Sequence, residues 1–579
     1  MSERRRGRRR PPRSGAGPKL RRRRLQLIVL LVVAVMGVLG ARAAFLGTVK
    51  AGELSALAQD QQRRSAEVPA PRGAILASDG SRLVQDRPAV NIVATPYLVP
   101  DATEAAETLA PILSSDPDEL RDLMSGDGGY AVLARNVSPQ AAREAREKNI
   151  PGISLEDTYE RFLPRGRVGA QLVGLVDDQR GGLSGLESSL DEHLTGTAGY
   201  RVEARDPFGR PLRRIVDREA VPGQSARLTV DAVIQDRTER VLEETRERYD
   251  AASATAVVMR PSDGAIIAMA STPGFDPNIQ RNLLGDNPEL EKNRPAVDTF
   301  EPGSTFKAVT IAGAIEDGLV QPSTVFNLPP TLRLYDRELG EAHPRPAVSW
   351  PVSEILAKSS NVGTVLIAQR FGDKYGQEGG RERINHWIER FGFGSRTELD
   401  FPGEAPGLVL PSQDWSGTSI LNIPIGQGVS VTLTQMAAAY ATIANGGHRV
   451  QPHLIERIGA NDVAPARGPR VISARTANAV DGMLRGVVAP DGTGSLAGVE
   501  GYTVAGKTGT ANKVNPETGR YDSALLVASF VGYLPAERPE LLIAVAVDEP
   551  AGGGFGGDVA APAFEDIAQF SLQKLRIEP

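Results

Sequence analysis

Three short motifs carry the residues of this chain that could do covalent chemistry. In order, they are Ser304-Thr305-Phe306-Lys307, Ser359-Ser360-Asn361 and Lys507-Thr508-Gly509. A serine hydroxyl becomes a nucleophile when a neighbouring base takes its proton, and a lysine one helical turn away is such a base. The first motif therefore predicts acyl transfer through a covalent intermediate on Ser304.

The order and separation of the motifs are more informative than any one of them. Ser359 and Lys507 follow Ser304 by 55 and 203 residues, so the motifs meet only through folding. As an ordered set they are typical of enzymes whose serine is acylated by a D-alanyl peptide or a β-lactam. A second S-x-x-K match, residues 571–574, has no SxN or KTG motif after it, and we interpret it as a helix surface.

Lysine is rare in this chain, since it supplies only ten of the 66 basic residues, and two of the ten are Lys307 and Lys507. Lysine can lose its proton when its surroundings lower its pKa, whereas arginine cannot. We predict that Lys307 is the neutral base, with burial and the nearby Lys507 cation lowering its pKa. Which group acts as the base is disputed for enzymes with this motif.

The other motif residues are predicted to move the proton onward and to hold the substrate. Ser359 is placed to relay the proton to the departing amine, and the N–H groups of Ser304 and Thr510 can form an oxyanion hole. A strand edge with small side chains lets a substrate backbone lie alongside, with its terminal carboxylate on the lysine and threonine of KTG. The predicted substrate-binding residues are Asn361, Lys507, Thr508, Gly509 and Thr510.

The elements that must position these motifs follow an α/β (α+β) pattern with an antiparallel sheet. Asp263-Gly264 between two apolar runs predicts a hairpin, and Asp231 is a good N-cap for a following helix. Nothing before residue 225 offers convergent catalytic groups, so we expect a mixed pedestal there. The predicted strands are residues 256–259, 265–269, 502–505, 528–533 and 541–547, and the predicted terminal helix is 563–575.

The N-terminal residues combine a basic tail with an apolar run. Residues 1–24 hold twelve basic side chains against one acidic, and no residue from 25 to 41 is charged. Extended to residue 46, the run has about 20 residues, which suits a bilayer core of ~30 Å. The positive-inside rule then places everything after residue 47 on the outer face. Ala41-Arg42-Ala43 resembles a signal-peptide cleavage site, but the apolar run is long for a signal peptide, so we predict an uncleaved anchor.

Composition also excludes several kinds of site. The chain has no cysteine, which rules out disulfides and thiolate metal sites, and none of its five histidines lies beside the motifs or has metal-ligand spacing. A zinc enzyme or a Ser-His-Asp hydrolase is therefore disfavoured, and we predict no metal and no cofactor. Because the basic tail leads into an apolar run, we predict a membrane and not a nucleic acid as its partner.

With these motifs the chain resembles the class B penicillin-binding proteins, specifically the cell-division (septal) D,D-transpeptidase. The resemblance covers nearly everything from residue 40 onward. It extends through Arg72-Gly73-Ala74-Ile75, Gly185-Leu186-Glu187, Asn293-Arg294-Pro295, Glu301-Pro302-Gly303, Gly426-Gln427-Gly428, Ala444-Asn445-Gly446-Gly447 and Thr510-Ala511. Two departures lie in the pedestal: Ala77-Ser78 replaces the usual Asp-Arg, and Arg161-Phe162-Leu163-Pro164 replaces Arg-x-Tyr-Pro. They put partner contacts in doubt and leave the chemistry intact.

The resemblance implies a domain plan, a substrate and partners. It implies a penicillin-binding/β-lactamase-like transpeptidase domain, an elongated pedestal and one transmembrane helix, in a single-pass membrane protein with a cytoplasmic N-terminus. The substrates are peptidoglycan stem peptides on lipid-linked or nascent glycan, and β-lactams bind covalently. The implied partners are a membrane glycan polymerase of the shape, elongation, division and sporulation type and other divisome proteins. The expected domains are 1–24 (tail), 25–46 (anchor), 47–225 (pedestal of the penicillin-binding-protein dimerisation type) and 226–579 (transpeptidase).

Two other functions remain open at the level of sequence. One is the elongation-specific class B transpeptidase, and the other is a non-catalytic β-lactam sensor or scaffold. A bifunctional class A enzyme would need Glu-Asp-x-x-Phe, and Glu156-Asp157 has Glu160 where that phenylalanine should be. The acceptor amine, from diaminopimelate or lysine, is also open.

Overall fold

The computed structural model describes residues 18–53, 63–126, 128–205, 211–279, 287–334, 337–463, 467–515, 517–552 and 554–579. The chain forms two compact units. The first comprises residues 1–68 and 198–219, and the second comprises residues 69–197 and 220–579. Residues 1–17, which make up most of the predicted basic tail, lie outside the described residues.

The first unit contains a long helix and a small sheet. The helix Pro18–Thr48 begins seven residues before the predicted anchor, with proline at its first position, where the missing N–H costs nothing. Its stretch Arg22–Thr48 is long and apolar enough to cross a bilayer, and an 18-residue window within it has a mean hydropathy of 2.5. The antiparallel sheet has the order Arg63–Val68, Gly199–Arg205, Pro211–Arg218.

The second unit is built around a five-stranded antiparallel sheet, which we call the central sheet. The predicted hairpin around Asp263-Gly264 is confirmed, as are the two later strands. The strand that carries KTG begins at Ala505, three residues after the predicted start, and lies at one edge. In spatial order the strands are Ile266–Thr272, Ser253–Met259, Leu541–Asp548, Tyr521–Leu534 and Ala505–Val514.

Helices cover both faces of the central sheet, and the sequence alternation places apolar side chains on each. In Ser253–Met259, for example, Val257 and Val258 are both fully buried but belong to different apolar cores. One face packs against Ala232–Arg248 and Gly556–Leu575. The other packs against Leu433–Ala444 and Ala474–Val488, and Lys307–Glu316 and Asn361–Arg390 belong to the same apolar core.

Two helix predictions can be compared with the structure in detail. Asp231 caps its helix as predicted, since its carboxylate accepts from the N–H groups of Val233 and Ile234. The C-terminal helix begins at Gly556 and not at residue 563. Ser571 on that helix is fully buried, so the prediction of a helix surface was wrong for that residue.

A second sheet of the same unit joins residues from both sides of the expected boundary at residue 225. The strand Ala226–Leu228 pairs in parallel with Ile75–Leu76 and antiparallel with Ile455–Ile458. Further strands of this sheet are Asn461–Asp462, Arg82–Ala94, Ala131–Val137 and Ile153–Phe162. Helices Ala102–Leu113, Pro117–Met124 and Pro139–Glu147 belong to the same part of the chain. The expected boundary therefore stays a prediction, and these strands span it.

Further short elements complete the second unit. Helices are Ala170–Val173, Gly185–Ser189, Asp191–Leu194, Arg294–Val297, Val352–Ala357, Ser419–Asn422 and Ala474–Val488. Three strand pairs are Val325–Leu328 with Val348–Pro351, Thr331–Leu334 with Arg337–Gly340, and His448–Val450 with Arg467–Arg470.

A buried ion-pair network lies inside the pedestal and joins the residues of three family-like motifs. Glu187 is fully buried and accepts from Arg72 and Arg161 at 2.6 Å each. Asp86 accepts from Arg161 at 3.1 Å and also pairs with Arg180. Each buried charge therefore has a partner, which is the condition for tolerating charge in a protein interior.

Candidate active site

The residues around Ser304 form a tight turn against the KTG strand. Gly303–Phe306 is one 3-10 turn that runs directly into Lys307–Glu316, and the Ser304 side chain is half-buried. Gly303 has a φ of +54° and donates its N–H to the carbonyl of Gly426 at 3.0 Å. A β-carbon there would lie 2.7 Å from the carbonyl oxygen of Thr510. Glycine is therefore needed both for the backbone angle and for the close approach.

Lys307 follows Ser304 by one turn and is fully buried. Its Nζ lies 2.5 Å from the carbonyl oxygen of Ser359, 2.7 Å from Oδ1 of Asn361 and 3.2 Å from Oγ of Ser359. In the described structure none of its hydrogen bonds goes to the hydroxyl of Ser304. Two of the three partners are oxygens that can only accept.

That arrangement fits either protonation state of Lys307, because the three oxygens match the three N–H groups of an ammonium and two of them match the two N–H groups of a neutral amine. A neutral amine has two N–H groups and one lone pair, and the two acceptor oxygens of Ser359 and Asn361 use both N–H groups. The lone pair then remains free to accept a proton from a hydroxyl. Ser359 offers its hydroxyl at the same nitrogen, which is the position a proton relay requires.

Burial favours the neutral form of Lys307. Loss of hydration lowers the pKa of Lys307 to about 7, opposed by the negative charge of Glu341. The pKa of Lys507 is lowered well below its usual range by its own burial and by the neighbouring Lys307 cation. Burial therefore makes the neutral base accessible near neutral pH, as the sequence predicts, but the repulsion between the two lysines lowers the pKa of Lys507 and not that of Lys307.

The SxN motif lies at the junction of two helices. Ser359 follows Val352–Ala357 and has a φ of +58°, a left-handed conformation that is uncommon for a residue other than glycine. Ser360 then caps Asn361–Arg390 by accepting from the N–H of Gly363. The strained backbone at Ser359 turns its carbonyl toward Lys307, and Asn361 presents its amide from the first turn of the helix.

Glu341 is a site residue that no motif of the chain indicates. Its carboxylate accepts from Oγ of Ser360 and from the N–H of Asn361, both at 2.6 Å, and pairs with Arg345 at 2.5 Å. A carboxylate at a helix N-terminus is favoured by the helix dipole. Glu341 therefore fixes the SxN turn and places a negative charge near Lys307. It lies in a loop without helix or strand periodicity, so no local pattern marks it.

The KTG motif lies on the edge strand Ala505–Val514. Lys507 is fully buried and donates to the carbonyl and hydroxyl of Thr508 at 3.1 and 3.2 Å. Thr508 shares a hydrogen bond of 2.9 Å with Thr493, a residue that the sequence analysis missed. The hydroxyl of Thr510 accepts from the N–H of Gly556 at 3.1 Å.

Gly509 lets the edge strand and the serine turn touch. A β-carbon at Gly509 would lie 2.9 Å from the carbonyl oxygen of Pro302 and 2.9 Å from the methyl group of Thr305. The hydroxyl of Tyr440 donates to the carbonyl of Thr305 at 2.7 Å and holds the turn from the other side. The structure thus brings all three motifs to one place, while the assignment of a chemical role to each residue stays a prediction.

Comparisons with known proteins agree with this arrangement. Residues 254–569 match the family model described as "Penicillin binding protein transpeptidase domain", and residues 67–228 match "Penicillin-binding Protein dimerisation domain". The penicillin-binding protein PbpB of Mycolicibacterium smegmatis is 37% identical over 490 residues, which cover 81% of this chain and 74% of PbpB. The peptidoglycan D,D-transpeptidase FtsI of Escherichia coli is 32% identical, over 92% of this chain and 87% of FtsI.

A solved structure shares the fold. The crystal structure of penicillin-binding protein 3 from Mycobacterium tuberculosis, complexed with aztreonam, has a TM-score of 0.69 and 31% sequence identity. The match covers 89% of this chain and 98% of that one. The predicted fold class, a transpeptidase fold with a dimerisation-type domain and an N-terminal apolar helix, is confirmed.

Proposed function

The chain belongs to the class B penicillin-binding proteins and is a serine-type D-Ala-D-Ala transpeptidase, and we propose that it cross-links stem peptides at the division septum through an acyl-enzyme on Ser304. It binds peptidoglycan stem peptides, and β-lactams acylate it. The observation that carries the proposed roles is the position of Lys307, whose Nζ contacts both Ser359 and Asn361 while lying one turn from Ser304.

In the first half of the proposed reaction, Ser304 attacks the carbonyl between the two terminal D-alanines. Lys307, neutral, takes the hydroxyl proton as the new C–O bond forms, and the N–H groups of Ser304 and Thr510 hold the oxyanion. Ser359 passes its proton to the departing nitrogen and takes in exchange the proton that Lys307 received, so Lys307 is neutral again. The C–N bond then breaks, D-alanine leaves, and an ester of Ser304 remains.

In the second half, an amine from another stem peptide attacks that ester. The amine loses a proton to Lys307 as the new C–N bond forms, and the proton returns to the serine oxygen as it leaves. The ester bond to Ser304 is exchanged for an amide bond between the two stem peptides, so the cross-link forms without a cofactor. Asn361, Lys507, Thr508, Gly509 and Thr510 are proposed to hold the peptide and its terminal carboxylate during both halves.

Covalent labelling tests the acyl-enzyme proposal. A fluorescent penicillin is expected to modify one serine of the full-length protein, and peptide mapping is expected to place the adduct on Ser304. Ser304→Ala should abolish labelling while circular dichroism shows the fold retained. An adduct on Ser571 would overturn the assignment, although the burial of its side chain argues against reactivity there.

We infer the division role from the resemblance of the motifs to the septal D,D-transpeptidase, and the likeness to FtsI, a peptidoglycan D,D-transpeptidase by name, supports the reaction itself. Depletion of the protein should therefore give filaments. Cells that round up would instead indicate the elongation-specific role. Unchanged peptidoglycan cross-linking after depletion would favour the sensor or scaffold function over catalysis.

Membrane topology and partners extend the proposal. We place residues 25–46 of the helix Pro18–Thr48 in the membrane, with the basic tail in the cytoplasm and the catalytic residues outside the cell, supported by the apolar run and the basic residues before it. The proposed partners are a membrane glycan polymerase of the shape, elongation, division and sporulation type and other divisome proteins.

A further inference from the structure

A cavity of about 670 Å³ lies beside the KTG strand, and none of the motif residues assigned above lines it. One wall is a row of paired residues across the central sheet. In register, the row runs Ser253, Asp548, Val527, Ala511. The opposite wall includes Arg294 and Glu301, and Glu301 precedes Ser304 by only three residues. The cavity therefore begins where the reacting serine's turn meets the edge strand.

The direction of a bound donor peptide follows from the proposed roles. If the terminal carboxylate binds Lys507 and Thr508 and the reacting carbonyl binds the N–H of Thr510, the rest of the peptide must continue toward Val514. It therefore lies antiparallel to Ala505–Val514. Opposite residues in such a pair alternate between those that exchange both hydrogen bonds and those that exchange none. Because the N–H of Thr510 receives the reacting carbonyl, the reacting D-alanine forms a hydrogen-bonded pair with Thr510 and lies opposite it. The carbonyl of Thr510 does face the serine turn, since it lies against Gly303.

The next residue of the donor then lies opposite Ala511. Directly opposite residues in an antiparallel pair point their side chains to the same face of the sheet. Ala511 belongs to the row that lines the cavity, and Ala505–Val514 is an edge strand, so the donor strand extends that row by one position. The donor residue that precedes the reacting D-alanine therefore directs its side chain into the cavity.

The charged residues that line the cavity indicate which charge the donor side chain should carry. Arg294 pairs with Asp298 at 2.6 Å, and Lys513 pairs with Asp548 at 2.8 Å. Glu301 has no cation among the described ion pairs. Its Oε1 accepts from the N–H of Gly428 and the hydroxyl of Tyr521, both at 2.8 Å, while its buried Oε2 has no hydrogen-bond partner in the described structure. Burial raises the pKa of Glu301, as expected for a carboxylate without a cation.

We propose that this cavity binds the side-chain ammonium of the diamino acid that precedes the reacting D-alanine in the donor stem, with Oε2 of Glu301 as its acceptor. The inference rests on the proposed function. A lysine-like side chain has a flexible four-carbon stem and a compact ammonium with three donors, which suits a cavity with small and hydroxyl-bearing walls. Both lysine and diaminopimelate supply that ammonium, and only diaminopimelate adds a carboxylate, which Arg294 can meet.

Donor peptides that differ at one side chain test the inference on the full-length protein in detergent. Pentapeptides ending in D-Ala-D-Ala would carry lysine, diaminopimelate or the uncharged norleucine at the preceding position, with D-alanine release measured. The wild-type protein should use the two ammonium donors at least about tenfold better in kcat/KM than the norleucine donor, as for a hydrogen bond to a charged group. Diaminopimelate exceeding lysine would support recognition of the carboxylate as well, and equal use would support the ammonium alone.

The variant Glu301→Gln should reduce the preference for ammonium donors to near one. It keeps an acceptor for Gly428 and Tyr521, and penicillin labelling of Ser304 reports whether it is folded. Equal use of charged and norleucine donors by the wild-type protein would overturn the inference, as would an unchanged preference in the variant. The wild-type comparison stands even if the variant does not fold. Failure of the proposed function would look different, since no donor would then turn over and penicillin would not label Ser304.

Discussion

Nζ of Lys307 lies 2.7 Å from Oδ1 of Asn361, although 54 residues separate them in the chain. The amide nitrogen of Asn361 in turn donates to the carbonyl of Gly340 at 3.1 Å, which fixes the orientation of the amide. The contact therefore presents an acceptor, and not a donor, to the lysine. Oδ1 of Asn361 and the carbonyl of Ser359 can thus take both N–H groups of a neutral Lys307, with the hydroxyl of Ser359 3.2 Å from the same nitrogen.

The two buried lysines should respond differently to arginine. Lys307→Arg keeps a cation that does not deprotonate, so acylation by one β-lactam should fall by about 10²–10⁴-fold, the usual contribution of a general base. Lys507→Arg should lose less, because Lys507 is proposed to supply charge and hydrogen bonds. Lys358→Arg is the matched control, since Lys358 lies beside the SxN motif but is partly exposed. Acylation rates decide between the lysines, and a larger loss at Lys507 would assign the base to it.

Acylation should also depend on pH through Lys307. Burial lowers the pKa of this lysine to about 7, and the neutral form is the proposed base. The neutral fraction grows as pH rises, so the acylation rate should increase about tenfold per pH unit below 7 and level off above it. Stopped-flow measurement with a β-lactam that does not titrate in this range gives the profile. A rate that falls as pH rises through 7 would rule out a neutral lysine as the base.

Glu341 should set the midpoint of that profile. Its negative charge raises the pKa of Lys307, so Glu341→Gln should move the midpoint of the acylation profile to lower pH. Glutamine retains an acceptor for Ser360, which limits structural loss. Glu354→Gln, at a more exposed carboxylate nearby, should leave the midpoint in place. A midpoint that does not move in Glu341→Gln would mean that Glu341 only caps the helix.

The pedestal network should contribute far more to stability than an exposed ion pair of equal length. Glu187→Gln removes one of two charge partners from each of the buried Arg72 and Arg161, which keep Asp191 and Asp86, and should cost about 3 kcal/mol, the low end for breaking a buried ion pair. Glu160→Gln removes an Arg87 contact of the same 2.6 Å at a largely exposed site and should cost under about 1 kcal/mol. Thermal unfolding of both variants measures the difference. Equal losses would show that the network adds nothing specific.

The anchor prediction can be checked on the native membrane. An uncleaved protein should retain its arginine-rich tail, stay in the membrane after high-salt washing, and expose residues beyond 47 to protease added outside the cell. N-terminal sequencing of the mature protein gives the direct answer. A sequence beginning at Ala44 would show that the apolar run is a cleaved signal peptide.

Motif positions and hairpins could be predicted because each is written locally in the chain. Asp263-Gly264 marks a turn, Asp231 marks a helix start, and the structure confirms both. The predicted ends of helices and strands were less accurate. Residues 502–504 have strand-like alternation, yet the strand begins at Ala505. Alternation describes which face a side chain takes and does not specify where pairing with a neighbour begins.

Contacts between distant loops could not be predicted from local patterns. Glu341 reaches the SxN motif because Arg337–Gly340 ends beside that turn, and the sequence around Glu341 has no periodicity that indicates it. The cavity near Glu301 likewise depends on the register of four strands, which a single sequence does not specify. The unpartnered Oε2 of Glu301 is visible only once its neighbours are in place.

The close approaches at Gly303 and Gly509 also limit how this site can evolve. Any larger residue at either position would push the serine turn away from the KTG strand, so both β-lactam acylation and cross-linking would be lost together. Selection by antibiotics therefore has no useful single-step change at these two positions. Changes in this protein that lower β-lactam acylation and preserve cross-linking are therefore expected around these two glycines and not at them.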